Sequence, residues 1–250
     1  MAKPRFYYSS ENLVNLILGA TVALPEGAAN HASRALRMQA GDTAILFNGD
    51  GNDYLCELTS IKKNEVIAKV TSVCNVERES PLKITLAQGI STGDRMDYTI
   101  QKAVEMGVSA IQPIASMRSV VKLAGERAEK RRLHWQNIVI SACEQSGRAW
   151  VPEVAAQLSL AQWLANLDAE KPQLRLTLAP NATHSLSNWA DPAQHIALLI
   201  GCEGGLTQEE IDLATRYDFV PVRLGGRILR TETAALAALA AMQTLWGDYN

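Results

Sequence analysis

Near the end of the chain, a few residues have the types and spacing to do chemistry. Arg223, Arg227 and Arg230 fall within eight residues beside Glu232, and Glu203 sits inside the run Gly201-Cys202-Glu203-Gly204-Gly205. Guanidinium groups neutralise an anion held or formed beside them, and glycines let backbone approach a ligand closely. A carboxylate among them can orient a cation or accept a proton. The same spacing also fits an ordinary strand-to-helix turn with surface arginines, and Glu232 also fits first-turn helix electrostatics. Thr207-Gln208-Glu209-Glu210 forms a capping box, which gives Glu209 and Glu210 a structural explanation.

Two short apolar runs must position these residues. Ile196–Ile200 and Phe219–Leu224 each end at glycines and lead into helical patterns starting near Thr207 and Thr231. That reads as parallel strands of an α/β sheet, with a pocket beyond their carboxyl ends. Leu174–Leu178, running into Ala179-Pro180-Asn181, supplies a third strand end. The helix from Thr231 is nearly all Ala and Leu, which predicts burial on more than one side. Upstream, Ile84–Ala87, a helix over Asp94–Met106 with Asp94 near its N-cap, and Ala110–Ile114 make a right-handed βαβ unit. The Gly89–Arg95 loop between them can hold an anion on its N–H groups. The chain has neither GxxxxGK[ST] nor GxGxxG, which argues against a P-loop or a nicotinamide site. Glu126–Ser146 reads as a long helix with a solvated basic face, ending in the polar cluster Cys143–Arg148, and Trp163 marks another helix.

The first 74 residues read as β-rich. Ala44–Phe47 and Tyr54–Leu58 flank Asn48-Gly49-Asp50-Gly51-Asn52, a hairpin signal, and Val66, Ala68 and Val70 alternate as on a half-buried strand. His31–Met38 forms a short helix that puts Arg34 and Arg37 on one face, and Arg5 is a further exposed basic candidate. On spacing alone, these three arginines read as a solvated face. Residues 75–83, charged and containing Pro81, read as a linker.

With 250 residues, 47% of them hydrophobic, the chain can bury one large core or two. Its net charge of -2 gives no global nucleic-acid signal, so RNA binding would need a local patch. Cys56, Cys74, Cys143 and Cys202 form no CxxC pair, and His31, His134, His184 and His195 show no HxxxH or HExxH spacing. No metal site is expected, and reduced thiols fit a cytoplasmic location. The opening MAKPRFYY has no apolar signal core, and Ala234–Met242, the longest apolar run, is too short to span a membrane.

LLIGCEGGLTQEEI at Leu198–Ile211 and LGGRILRTETAALAAL at Leu224–Leu239 resemble the signatures of the RsmE family, which are uracil-N3 methyltransferases of 16S ribosomal RNA in the SPOUT superfamily. Pro4–Arg5, His31–Asp42, Ile100–Val108 and Ala142–Arg148 match in order, so the resemblance covers essentially the whole chain. It implies a PUA-like β-barrel RNA-binding domain over residues 1–74. Residues 75–250 would then form a SPOUT α/β methyltransferase domain with a C-terminal trefoil knot. It also implies a homodimer and S-adenosyl-L-methionine as cofactor. Three loops would hold that cofactor: Leu178, Ala179 and Pro180; Gly201, Glu203 and Gly204; and Leu224, Gly225, Ile228, Leu229 and Arg230.

Within this resemblance, Arg230 is the candidate to stabilise a uracil anion, and Glu232 to orient Arg230 or accept a proton. Arg5, Arg34, Arg37, Arg95 and Arg148 are the RNA-binding candidates. Many relatives have proline where this chain has Cys202, so the loop loses a fixed φ and gains an N–H. Three other readings stand beside this one: a SPOUT enzyme acting on another RNA or base, a ribosome assembly factor that binds RNA without methylating it, and a small-molecule α/β enzyme that uses the glycine loops for a nucleotide.

Overall fold

A computed structural model of the protein describes residues 3–9, 15–62, 65–167, 174–189 and 194–249. The chain divides into two compact units, Met1–Glu79 with Cys143–Val151, and Ser80–Ala142 with Pro152–Asn250. The division falls at Glu79, a few residues beyond position 74, and the polar end of the long helix returns to the first unit. That return is stitched by Glu144, which accepts the Tyr7 N–H at 2.9 Å, and by Gly51, whose N–H reaches Ala149 O.

The first unit contains β1 (Arg5–Tyr7), β2 (Thr21–Ala23), α1 (Glu26–Asn30), β3 (Thr43–Phe47), β4 (Asn52–Lys62) and β5 (Glu65–Asn75). They form a five-stranded sheet in the order β1-β3-β4-β5-β2. The β3–β4 hairpin forms across the Asn48–Gly51 turn, and Val66, Ala68 and Val70 point into the core with Phe6, Leu46 and Leu58. Among the described residues, its end strands β1 and β2 do not pair with each other, and each is three residues long. The expected helix over His31–Met38 is a π-turn, His31–Ala35, continuing from α1. Arg37 lies past its end with φ +53°, so Arg34 and Arg37 do not share a helix face.

The second unit contains β6 (Lys83–Gly89), α2 (Asp94–Glu105), β7 (Ala110–Ala115), α3 (Gly125–Ser146), β8 (Glu153–Val154), β9 (Leu158–Ser159), α4 (Leu160–Ala165), β10 (Leu174–Leu178), β11 (His195–Ile200), α5 (Gln208–Thr215), β12 (Val220–Val222) and α6 (Thr231–Trp246). Among the described residues, every pair of these strands is parallel, in the order β12-β10-β11-β6-β7-β8 with β9 also on β7. Such a sheet is buried on both faces and needs continuous apolar strands, and Ile196–Ile200 is buried throughout. The Phe219–Leu224 run shrinks to three residues around Pro221, which fits an edge strand because proline cannot donate to a ladder. The N-cap of α2 is Gly93, with no side-chain cap.

The burial expected around α6 is realised on one face. Ala235, Ala238, Leu239 and Met242 are buried, Leu236 and Ala240 are half-buried, and Leu245 is 49% exposed. Buried Gln243 anchors that face, accepting from Ser80 Oγ at 2.7 Å and donating to Met106 O at 2.9 Å. Each such bond contributes about 1 kcal/mol.

Candidate functional site

The loops leaving β10, β11 and β12 meet at the carboxyl edge of the sheet and line one cleft of about 760 Å³. That volume lies within the range of small-molecule sites. Its apolar walls come from Leu178, Ile200, Leu206, Ile228 and Leu229, and its floor from the glycine loop 201–205.

Backbone crowding explains the glycines. A Cβ on Gly201 would lie 2.5 Å from the carbonyl carbon of Gly205 and 2.6 Å from Leu206 N. A Cβ on Gly89, at the end of β6, would strike the Cys202 amide and lie 2.6 Å from the Gly201 carbonyl carbon. Neither loop could pass so close with a side chain there. Cys202 is buried, and its carbonyl accepts the Gly205 N–H at 2.8 Å, closing the tight turn that presents Glu203 and Gly204.

A buried polar network sits under this turn. Gln88 Nε2 reaches Thr231 Oγ1 at 2.9 Å and Gly201 O at 3.2 Å, while the Thr231 hydroxyl donates to Gly201 O at 2.6 Å. Gln88 thereby ties the first glycine loop to the head of α6. Its own Oε1 is buried without a hydrogen-bond partner among the described residues.

Glu203 is gripped from α2 and the loop before it. One carboxylate oxygen accepts Thr92 N at 2.7 Å, Thr92 Oγ1 at 2.6 Å and Arg95 Nη1 at 3.3 Å. Burial alone would push this carboxyl up, but the Thr92 hydrogen bonds and then the Arg95 charge hold it below its ordinary value. Thr207 and Glu210 form the expected capping box, and Glu210 also accepts Met117 N–H at 2.8 Å. Next in sequence, Arg118 donates through Nη1 to Gly204 O at 2.8 Å and Leu206 O at 3.3 Å.

Of the candidate cofactor residues, Leu178, Ala179, Pro180, Gly201, Glu203, Gly204, Leu224, Gly225, Ile228 and Leu229 line the cleft. Arg230 does not: it is exposed and stands as the N-cap of α6. Glu232 also stays out of the lining, in the first turn of α6, and its Oε2 is buried without a partner among the described residues. Arg223 and Arg227 do line the cleft, as do Thr231 and Arg118. Arg118 carried no sequence signal, because it lies in an irregular loop between β7 and α3.

Among the RNA-binding candidates, Arg34 and Arg37 are exposed and Arg95 is half-exposed beside Glu203. Arg5 is not exposed. Its side chain is 8% accessible, 2.7 Å from Asp53 and over the Phe47 ring, and Arg78 shares the same Asp53 oxygen. Arg148 is buried and forks onto Glu79. Each of these two guanidiniums is therefore paired with a carboxylate of the first unit, Arg5 with Asp53 and Arg148 with Glu79. The four cysteines are free, and burial pushes the thiols of Cys56 and Cys143 up to about 12, which keeps them unreactive. Among the described residues, no cluster of His, Cys, Asp and Glu could hold a metal ion, and no helix is long and apolar enough to cross a membrane.

Residues 78–243 match an RNA methyltransferase domain family, and residues 24–71 match an RNA methyltransferase PUA domain. The chain is 33% identical to the ribosomal RNA small subunit methyltransferase E of Buchnera aphidicola subsp. Schizaphis graminum, covering 98% of this chain and 97% of that one. It is 36% identical to the Bacillus subtilis protein of the same name, over 85% and 86%. A crystal structure of the Neisseria gonorrhoeae ribosomal RNA small subunit methyltransferase E bound to S-adenosyl methionine is similar at 44% identity and TM-score 0.91, covering all of both chains. A putative methyltransferase from Legionella pneumophila in complex with the same cofactor is similar at 38% identity and TM-score 0.92, covering 99% of this chain and 100% of that one.

Proposed function

The chain belongs to the RNA methyltransferase family of the ribosomal RNA small subunit methyltransferases E, and on that premise we propose that it methylates N3 of a uridine in 16S ribosomal RNA, using S-adenosylmethionine. The observation that carries this reading is the single cleft built by three loops at the carboxyl ends of β10, β11 and β12. The residues present fit the cofactor. Leu178, Ile200, Leu206, Ile228 and Leu229 offer apolar walls to a purine, and the glycines at 201, 204 and 225 let the loop backbone approach it closely.

When bound, the cofactor supplies an electrophilic methyl group on a sulfonium. The chain's own residues must align the uracil and stabilise its N3 anion. Arg230 is assigned that charge stabilisation, supported by its place at the head of α6 directly before Thr231, which lines the cleft. Glu232 is assigned to orient Arg230 or take the proton, supported by a buried carboxylate oxygen with no partner among the described residues. Arg34, Arg37 and Arg95 are assigned to RNA phosphates, supported by their exposure.

The family resemblance supports a trefoil knot in the second unit and a homodimer. For the dimer, the apolar surface that α6 and its loop leave open adds support: Ile228 is 86% exposed and Leu245 49%. A cytoplasmic location follows from the ribosomal substrate.

The test is transfer of a labelled methyl group to small ribosomal subunits lacking the modification, by wild-type protein and by Arg230→Ala. Wild-type transfer with loss in the variant, at unchanged cofactor affinity, supports both the reaction and the role. Full transfer by Arg230→Ala removes Arg230 from catalysis. Cofactor binding without transfer to subunits or to bare RNA favours the assembly-factor reading.

A further inference from the structure

Arg118 belongs to none of the three loops that the sequence motifs mark, yet it lines their cleft. It arrives on the irregular segment between β7 and α3, and that segment is fixed on both sides. Ser119 Oγ donates to Ile90 O at 3.1 Å, and the Met117 N–H is held by the buried carboxylate of Glu210 at 2.8 Å. The stem of Arg118 packs so tightly on Gly204 that a Cβ there would lie 3.0 Å from Arg118 Cβ. Only Nη1 is spent, on the carbonyls of Gly204 and Leu206. Among the described residues, Nε and Nη2 have no hydrogen-bond partner, and the residue is exposed. A guanidinium held by one arm, with its other donors free at the mouth of a cleft, is preorganised to take an anion.

The charge balance of the cleft points to which anion. Three arginines line it, Arg118, Arg223 and Arg227, against one carboxylate, Glu203, which Arg95 already pairs. S-adenosylmethionine carries an ammonium, a sulfonium and a single carboxylate, and so has a net positive charge. A surplus of arginines does not favour such a ligand, but it does favour a phosphodiester chain.

We propose that Arg118 is a fixed phosphate contact that seats the RNA strand over the cofactor cleft, clamped to the glycine loop so that RNA and cofactor are registered against the same backbone. The proposal rests on the RNA methyltransferase reading above and names a positioning residue for its substrate.

The experiment compares wild type, Arg118→Met, which keeps the apolar stem, and Arg118→Lys, which keeps the charge. Cofactor affinity is read by calorimetry. Affinity for 16S ribosomal RNA is read over a range of salt concentrations. Arg118→Met should weaken RNA binding roughly fivefold to tenfold and lower the log–log salt slope by about 0.7, the share of one single-strand phosphate contact. Arg118→Lys should keep the wild-type slope. Pinning a loop through neutral carbonyls carries no such salt dependence, so the slope decides even if cofactor affinity also falls. A wild-type slope in Arg118→Met overturns the proposal. Cofactor affinity lost with the slope unchanged does so too, and assigns Arg118 to the loop or to the cofactor carboxylate. Wild-type protein that methylates no RNA overturns the parent reading instead, and a variant-specific result is distinct from that.

Discussion

Gln88 Nε2 donates to Thr231 Oγ1 at 2.9 Å, and that hydroxyl in turn donates a hydrogen bond to Gly201 O at 2.6 Å. One buried chain therefore joins the end of β6, the first glycine loop and the first residue of α6. Thr231→Val keeps the shape and removes the relay. Cofactor affinity should fall roughly tenfold, since about 1–2 kcal/mol rides on such a satisfied pair, and Thr231→Ser should restore it. Calorimetric titration with S-adenosylmethionine measures both. A Val variant that binds like wild type would show that the loops hold their places without this network.

The Glu203 latch should be sensitive to acid. Its folded pKa is lowered from 4.5, so the stability it contributes is complete above 4.5 and is lost as pH falls through the lower folded value. Thermal unfolding of wild type and Glu203→Gln across pH checks this. The variant should be less stable at neutral pH, and the gap should close as the pH drops below 4.5. A gap independent of pH would mean that the Thr92 and Arg95 contacts do not depend on the carboxylate charge.

Arg37 occupies left-handed backbone at φ +53°, which costs a side-chain-bearing residue about 1–2 kcal/mol. An exposed charged residue kept in that conformation is a candidate for function. Arg37→Gly should therefore raise the unfolding temperature slightly while weakening RNA binding and flattening its salt dependence. If Arg37→Gly binds RNA with the wild-type salt slope, Arg37 makes no phosphate contact.

Asp53 serves two guanidiniums in a nearly closed site, Arg5 at 2.7 Å and Arg78 at 3.0 Å. Removing one partner from a buried pair strands the other charge. Asp53→Ala should thus destabilise the first unit by about 3–5 kcal/mol in a denaturant titration. Arg5→Met should also destabilise it, yet leave the salt slope of RNA binding unchanged. A flatter slope in Arg5→Met would return Arg5 to the RNA interface.

The strand ends and helix starts around the cleft were legible because each carries local chemistry. Apolar runs stop at glycines, Thr207 and Glu210 cap α5, and Leu174–Leu178 runs directly into Ala179-Pro180. What local reading missed depends on contacts far apart in sequence. Nothing near Arg5 announces that Asp53 will bury it, and nothing near Arg148 announces Glu79. Arg118 reaches the cleft only because β7 lies two strands from β11 in the sheet. Gln88 looks like any strand residue until Thr231 arrives beside it from the far end of the chain. The motif resemblance was indifferent to these burials, since it marks an arginine without saying which way it faces.

Nucleoside analysis of 16S ribosomal RNA, after small ribosomal subunits lacking the modification are incubated with the protein and labelled S-adenosylmethionine, reads the reaction and the base together. Label should appear in 3-methyluridine with the wild-type protein, and none with Arg230→Ala. Label in a different methylated nucleoside, or none despite cofactor binding, would contradict uridine N3 methylation.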